Sequence, residues 1–191
     1  MAGGRSSRFG SPKSRALLGG KTLLEISVNT ARSFAAGVMV ITQMELKMKK
    51  GTRVTVRRDL HPGQGPLGGI ETALFHSRFD YTAILPCDMP RLRASVYRRL
   101  AEEAVPGRPA AARSGNGVEP LVSIWPRSAL PAVQEELETG RASPAAVFYK
   151  LGGREVNMRD MEKNLDSFLF ININRPADLA VLEGKNGKNR S

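Results

Sequence analysis

The stretch AGGRSSRFGSPK at positions 2–13 gathers residue types suited to gripping phosphate: a glycine pair, serines and three cations within twelve positions. Glycine lets backbone N–H groups approach an anion closely, and Arg8 and Lys13 bring the opposite charge. A second group of such residues is scattered further along the chain. Asp88 stands in LPCDMP (85–90), just past an apolar run. A carboxylate there suits Mg²⁺, a hard cation that takes one or two carboxylates plus phosphate oxygens; an Asx-turn or helix N-cap fits the same acid equally well. Asp59 follows another apolar run, and GQGPLGGI (63–70) supplies four glycines next to it. Asn172 and Asn174, in FININ, offer neutral donors and acceptors, although capping of a following helix also explains Asn174.

What could position these groups is an alternation of short apolar runs with longer amphipathic ones. Residues 22–36 predict a helix, with Thr22 as N-cap and Glu25 at the capping-box spacing. Strands are expected at 38–42, 53–56, 81–85, 110–113, 120–125 and 167–172. Helices are expected at 68–77, 94–104, 127–139, 144–151 and 176–183. Alternation of this kind implies an α/β fold with a parallel sheet and helices on both faces. Ligands then bind beyond the carboxyl ends of the strands. Asp59, Asp88, Asn172 and Asn174 all fall at such ends. Residues 1–183 form one domain in this reading, and 184–191 a disordered polar tail.

The chain has 191 residues and a net charge of +11, and the charge is unevenly placed. Residues 1–58 hold twelve Lys and Arg against two acids; the remainder is close to balanced. A basic N-terminal third raises the local concentration of a polyanion such as a nucleotide. The cluster Lys47, Lys49, Lys50, Arg53, Arg57 and Arg58 reads as solvated surface, since no aromatic residue interleaves it to stack on bases. No apolar run is long enough for a membrane helix and no signal peptide is visible, so a cytoplasmic protein without membrane or nucleic-acid partners is expected. The one cysteine, Cys87, reads as packing, and His61 and His76 with one cysteine make no zinc set. GGKT (19–22) ends like a Walker A loop, but position 15 is arginine where that loop requires glycine. AGGRSSRFG lacks the GxGxxG spacing of dinucleotide folds.

Taken together, AGGRSSRFGSPK, GGKTLLE (19–25), RDLHPGQGPLGG (58–69), LPCDMP, EPLVSIW (119–125) and FININRPADL (170–179) resemble the nucleotidyltransferases that complete the molybdenum cofactor, its guanylyltransferases above all. The likeness covers nearly the whole chain except the tail. It implies a Rossmann-like three-layer αβα fold with a mostly parallel central sheet. It also implies transfer of GMP from GTP to the phosphate of molybdopterin, with release of pyrophosphate. Met1, Ala2, Gly3, Gly4, Lys13, Asp59, Gly65, Gly68 and Asp88 would then bind the nucleotide, and Arg8, Lys13 and Asp88 would carry catalysis. Asp88 and Asn174 would hold Mg²⁺, while Asn172 and Asn174 would face molybdopterin. Other cofactor-assembly proteins are implied as partners. Related enzymes of the same superfamily use CTP, or sugar or cobinamide phosphates, and an inactive nucleotide-binding relative is a further alternative. Gly3-Gly4, in place of the Ala-Gly of cytidylyltransferases, leans toward GTP. Two positions depart from the family: Gln43 stands near where many members place an asparagine, and Met1 occupies the end of the strand that normally feeds the glycine loop. The expectation is an in-frame upstream stretch of about five apolar residues to supply that strand.

Overall fold

The computed structural model describes residues 12–46, 48, 52, 54–164 and 168–186. Met1, Ala2, Gly3, Gly4 and Arg8 lie outside the described residues, as do Lys47, Lys49, Lys50 and Arg53 of the basic cluster and positions 187–191 of the expected tail. After a 3₁₀ turn at Lys13–Arg15, strands β1 (Leu17–Leu18) and β2 (Lys21–Thr22) form a tight antiparallel hairpin. Gly19 and Gly20 at its tip both have positive φ, as a type I′ turn requires. GGKT is therefore hairpin chemistry and no phosphate loop. Helix α1 (Leu23–Arg32) begins with the expected capping box: Glu25 N–H donates to Thr22 Oγ1, and Thr22 N–H donates to the Glu25 carboxylate.

Next come β3 (Met39–Thr42), β4 (Thr55–Arg58), α2 (Gly65–His76), β5 (Tyr81–Ile84) and α3 (Ala94–Glu102). They are followed by β6 (Ala110–Ser114), β7 (Gly117–Pro126), α4 (Leu130–Glu138), α5 (Pro144–Lys150), β8 (Arg154–Asn157), α6 (Arg159–Asn164) and α7 (Pro176–Asn186). The α/β class is as expected. The parallel direction holds for β3/β4 and β6/β8, whereas β7 runs antiparallel to both β5 and β6. The reason is local: Gly115 and Asn116 alone join β6 to β7, and a two-residue connection permits only an antiparallel pair.

Side chains alternate across the sheet and separate two apolar layers. Ala111 and Trp125 face α2, α4 and α5, with Leu67, Ile70, Leu74, Val133 and Phe148 packed against them. Ala110, Ala112, Val122 and Ile124 face the other way, onto α3, with Val96 and Leu100, and onto Met158, Leu169 and Phe170. Helices thus cover both faces, giving three layers.

Several elements differ from the sequence reading. β4 lies at 55–58 rather than 53–56, because β3 fixes its register from Met39↔Thr55 to Thr42↔Arg58. α2 starts at Gly65, three residues early, with Pro66 accommodated in its first turn. The stretch expected as a last strand is none among its described residues: 168–170 form a turn, with Ile171 N–H donating to Phe168 C=O at 3.0 Å. Leu169 and Phe170 of it are buried in the second layer all the same, and the following Ile173 is buried beside Leu18, Leu23 and Leu182. α7 continues to Asn186, into the expected tail. No helix among the described residues is long and apolar enough to cross a membrane.

Thr22→Ala removes the side-chain half of the α1 capping box, the Glu25 N–H bond to Thr22 Oγ1, and keeps the bond from Thr22 N–H to the Glu25 carboxylate. It should lower the unfolding free energy by about 1 kcal/mol, read from the midpoint of a urea titration at unchanged slope.

Candidate active site

Three of the expected site residues meet in one place. Lys13 Nζ lies 3.2 Å from Asp88 Oδ2 and donates to Asn174 Oδ1 at 3.0 Å. The residues come from three separate elements: the 3₁₀ turn before the hairpin, the turn after β5, and the segment entering α7. Both ion-pair partners are about three-quarters shielded, with side-chain exposures of 21% and 26%. Backbone bonding fixes the segments to each other, since Ile173 N–H donates to Asp88 C=O at 2.8 Å. Asn174 is not spent on capping: its side-chain oxygen faces Lys13, and its own N–H donates to Asp178 Oδ2 at 2.7 Å.

Asp178, to which the sequence reading assigned no role, organises this corner. Its Oδ2 also accepts from Arg175 N–H at 2.8 Å, tying down the two residues ahead of α7. An acid at the third position of a helix, reaching back to its start, is a legible capping signal. The Asn174 and Arg175 N–H bonds favour the charged carboxylate and hold its pKa below the ordinary 3.8. Cys87, next to Asp88, is buried, and burial pushes its thiol pKa up. It is a neutral packing group, as expected.

Asp59 occupies a second strand end and is buried. Its Oδ1 accepts from His61 N–H at 3.1 Å and lies 3.4 Å from Thr72 Oγ1, and its Oδ2 accepts from Gln43 Nε2 at 3.2 Å. Thr72 Oγ1 in turn accepts from Leu60 N–H at 3.0 Å, so this carboxylate shapes the turn that leads into α2. Gly68 is required by that packing. A Cβ there would meet His61 C=O at 3.0 Å and Asp59 Oδ1 at 3.2 Å. Gly65, with φ +64°, starts the helix in the left-handed region that glycine tolerates. Gly65 and Gly68 thus belong to the first turn of α2 rather than to a loop before it. Asn172 is exposed on the same segment as Asn174.

Among the described residues no three His, Cys, Asp or Glu side chains cluster as a metal site. The donor set at Asp88 and Asn174 is nevertheless all oxygen, and the Lys13 ammonium already sits between the two. Hard oxygen donors around a cationic position fit Mg²⁺ completed by phosphate oxygens.

The three-layer fold, with these groups beyond its strand ends, is that of the nucleotidyltransferases. The 2-C-methyl-D-erythritol 4-phosphate cytidylyltransferase of Thermus thermophilus superimposes with a TM-score of 0.69 over 92% of this chain and 94% of that one, at 18% identity. The family model described as a MobA-like NTP transferase domain matches residues 1–153, and the chain belongs to that family. A probable molybdenum cofactor guanylyltransferase of Geobacillus sp. is 31% identical over 181 residues, covering 92% of each chain. One from Deinococcus radiodurans is 32% identical over 195 residues, covering 96% of this chain and 92% of its own. The crystal structure of molybdopterin-guanine dinucleotide biosynthesis protein A from Archaeoglobus fulgidus has a TM-score of 0.80 at 26% identity, covering 98% of this chain and 96% of that chain.

The sign of the Asp178 effect follows from its lowered pKa. A depressed carboxylate stabilises the fold above its unfolded value and loses that contribution as pH falls through the folded one. Asp178→Ala should therefore melt below wild type at pH 7. That gap should persist to about pH 5 and close in acid below the ordinary value of 3.8, as followed by circular dichroism melts.

Proposed function

We propose that this chain transfers GMP from GTP to the terminal phosphate of molybdopterin. The single observation that carries the mechanism is the meeting of Lys13, Asp88 and Asn174 at the carboxyl end of β5. The guanylyl chemistry is brought by the relatives named as molybdenum cofactor guanylyltransferases.

In the reaction an oxygen of the molybdopterin phosphate attacks the α-phosphorus of GTP. A new P–O bond forms, the bond to the β-phosphate breaks, and pyrophosphate leaves with the electron pair. Transfers of this kind depend on positioning and electrostatics more than on a covalent intermediate. Lys13 releases its contact with Asp88 and neutralises the phosphates, where charge grows on the departing pyrophosphate. Arg8 and the backbone of residues 1–4 assist from the glycine loop. Asp88 and Asn174 would hold Mg²⁺, which when bound supplies Lewis-acid polarisation and a template for the phosphate oxygens. Asn172, exposed beside them, orients molybdopterin. The Asp59–Gln43 pair and the start of α2, with Gly65 and Gly68 in its first turn, shape the nucleotide side of the cleft.

Pyrophosphate release tests this with GTP, molybdopterin and Mg²⁺, against CTP and against sugar phosphates as acceptors. GTP with molybdopterin should be the productive pair; turnover with CTP alone would overturn the specificity. Asp88→Ala should lower kcat by about 10²–10³ at unchanged Tm. Lys13→Ala should weaken GTP binding. An Asp88→Ala protein with wild-type turnover would remove Asp88 from the mechanism.

A further inference from the structure

EPLVSIW (119–125) lies in β7 and has no part in the site described so far. It contains an irregularity. β6 and β7 pair regularly at Ala110↔Ile124 and Ala111↔Ser123, and then the register jumps to Ala112↔Glu119. β7 thereby accommodates Pro120, Leu121 and Val122 as extra residues, and Glu119 takes the place opposite Ala112 that Val122 would hold in a regular ladder. Bulges re-aim side chains and are over-represented beside functional sites.

Residues opposite each other in an antiparallel pair share a face. Glu119 therefore lies on the face of Ala112, where Leu169 and Phe170 also pack. From Phe170 the chain runs on to Ile173, whose N–H is bonded to Asp88 C=O. β5 and β6 are both antiparallel to β7, hence parallel to each other, so Ser114 closes β6 at the same edge of the sheet where Asp88 follows β5. One strand lies between them, which sets β5 and β6 about 10 Å apart at the usual spacing of about 4.8 Å.

Ser114 is fully buried and Glu119 partly exposed. Ser114 Oγ donates to Glu119 Oε1 at 2.8 Å and accepts from Asn116 N–H at 3.0 Å, which fixes one carboxylate oxygen. Glu119 Oε2 has no hydrogen-bond partner among the described residues. A carboxylate only accepts hydrogen bonds, so it selects a ligand edge that carries adjacent N–H donors. Molybdopterin has the reacting phosphate at one end and a 2-amino-4-oxopyrimidine ring at the other, with a ring N–H and an amino group side by side. Its fused rings separate these ends by a span of the same order as the β5–β6 distance. Guanine has the same donor edge. The nucleotide side of the cleft, however, is marked by Asp59 after β4, and β4 belongs to the other sheet with β3.

We propose that Glu119, held by Ser114, determines acceptor specificity by receiving the paired N–H donors of a pterin ring. The inference rests on the proposed reaction for the identity of the acceptor.

Pyrophosphate release by the full chain, with GTP and molybdopterin varied in turn, reads the assignment. Glu119→Gln keeps the shape and the bond from Ser114 but puts an amide NH₂ in place of the free oxygen. It should raise KM for molybdopterin by about 10–100-fold, with kcat, KM for GTP and Tm at wild-type values. An unchanged KM for molybdopterin would overturn the role. A rise in KM for GTP instead would overturn it too, giving the carboxylate to guanine. Binding without turnover supplies the second measurement. Free pterin, followed by its own fluorescence, should bind the wild type at least about tenfold more tightly than lumazine, in which an oxo group replaces the amino donor. Glu119→Gln should bring the two affinities together. Equal binding of pterin and lumazine to the wild type, or no binding of pterin, would count against the site. Failure of the proposed reaction shows differently: the wild type would release no pyrophosphate with molybdopterin, and the pterin-to-lumazine ratio would then decide the site alone.

Discussion

One ammonium group, Lys13 Nζ, joins three stretches of chain that are far apart in sequence: 75 residues separate it from Asp88 and 161 from Asn174. Each partner is positioned by something else. The hairpin and its two positive-φ glycines bring the chain back so that Leu23 N–H donates to Ala16 C=O, and the capped α1 departs from there. β5 delivers Asp88 at its carboxyl end, and the bond from Ile173 to Asp88 C=O draws the α7 segment across it. A partly shielded ion pair with an added amide contact is stronger than an exposed one, because water screens it less. The same charge balance also makes the contact exchangeable. Anything that brings phosphate competes for the lysine, and anything that brings a divalent cation competes for the two oxygens.

Asp88 and Asn174 were legible because each follows an apolar run, where an α/β sheet presents its ligands, and Lys13 because it closes the glycine-rich, cationic stretch at 2–13. Lys13, Asp88 and Asn174 needed no knowledge of packing. Packing around Asp59 was not legible: its type and place suggested a ligand contact, and the structure adds three donors of the protein itself, from Gln43, His61 and Thr72. Periodicity likewise failed for 167–172. An apolar run reads as a buried strand whether or not a free sheet edge exists to pair with it, and the described part of this run packs its side chains into two core layers without a ladder. β8 escaped notice for the opposite reason: only Val156 in it is buried. The β6–β7 hairpin was hidden in SGNG, whose central Gly115-Asn116 carries the turn and reverses the direction of β7.

Side chains, and α2 in particular, hold the two parts of the sheet in line. Ile41 from β3 and Ile84 from β5 belong to the same apolar cluster as Leu67, Ile70 and Leu74, all three of them fully buried in the helix between. Burial of such residues contributes about 1.5–3 kcal/mol each, and it holds β3 and β4 against the rest of the fold where no ladder joins β3 to β5 among the described residues. It does not fix register, however. Hydrophobic contact is non-directional, whereas hydrogen-bonded pairing specifies which residue lies opposite which. Among the described residues β4 depends on β3 alone for its register and carries Arg57 and Arg58 exposed, charge that discourages a further strand from adding.

That asymmetry bears on the chemistry. Asp59 extends from β4 and Asp88 from β5, so the two strand ends that frame the cleft sit on opposite sides of the interruption. Their separation is set by how α2 rests against both strands, and the first turn of α2 is seated by Gly68 packed against Asp59. Phosphoryl chemistry loses rate steeply when groups are misplaced by about an ångström.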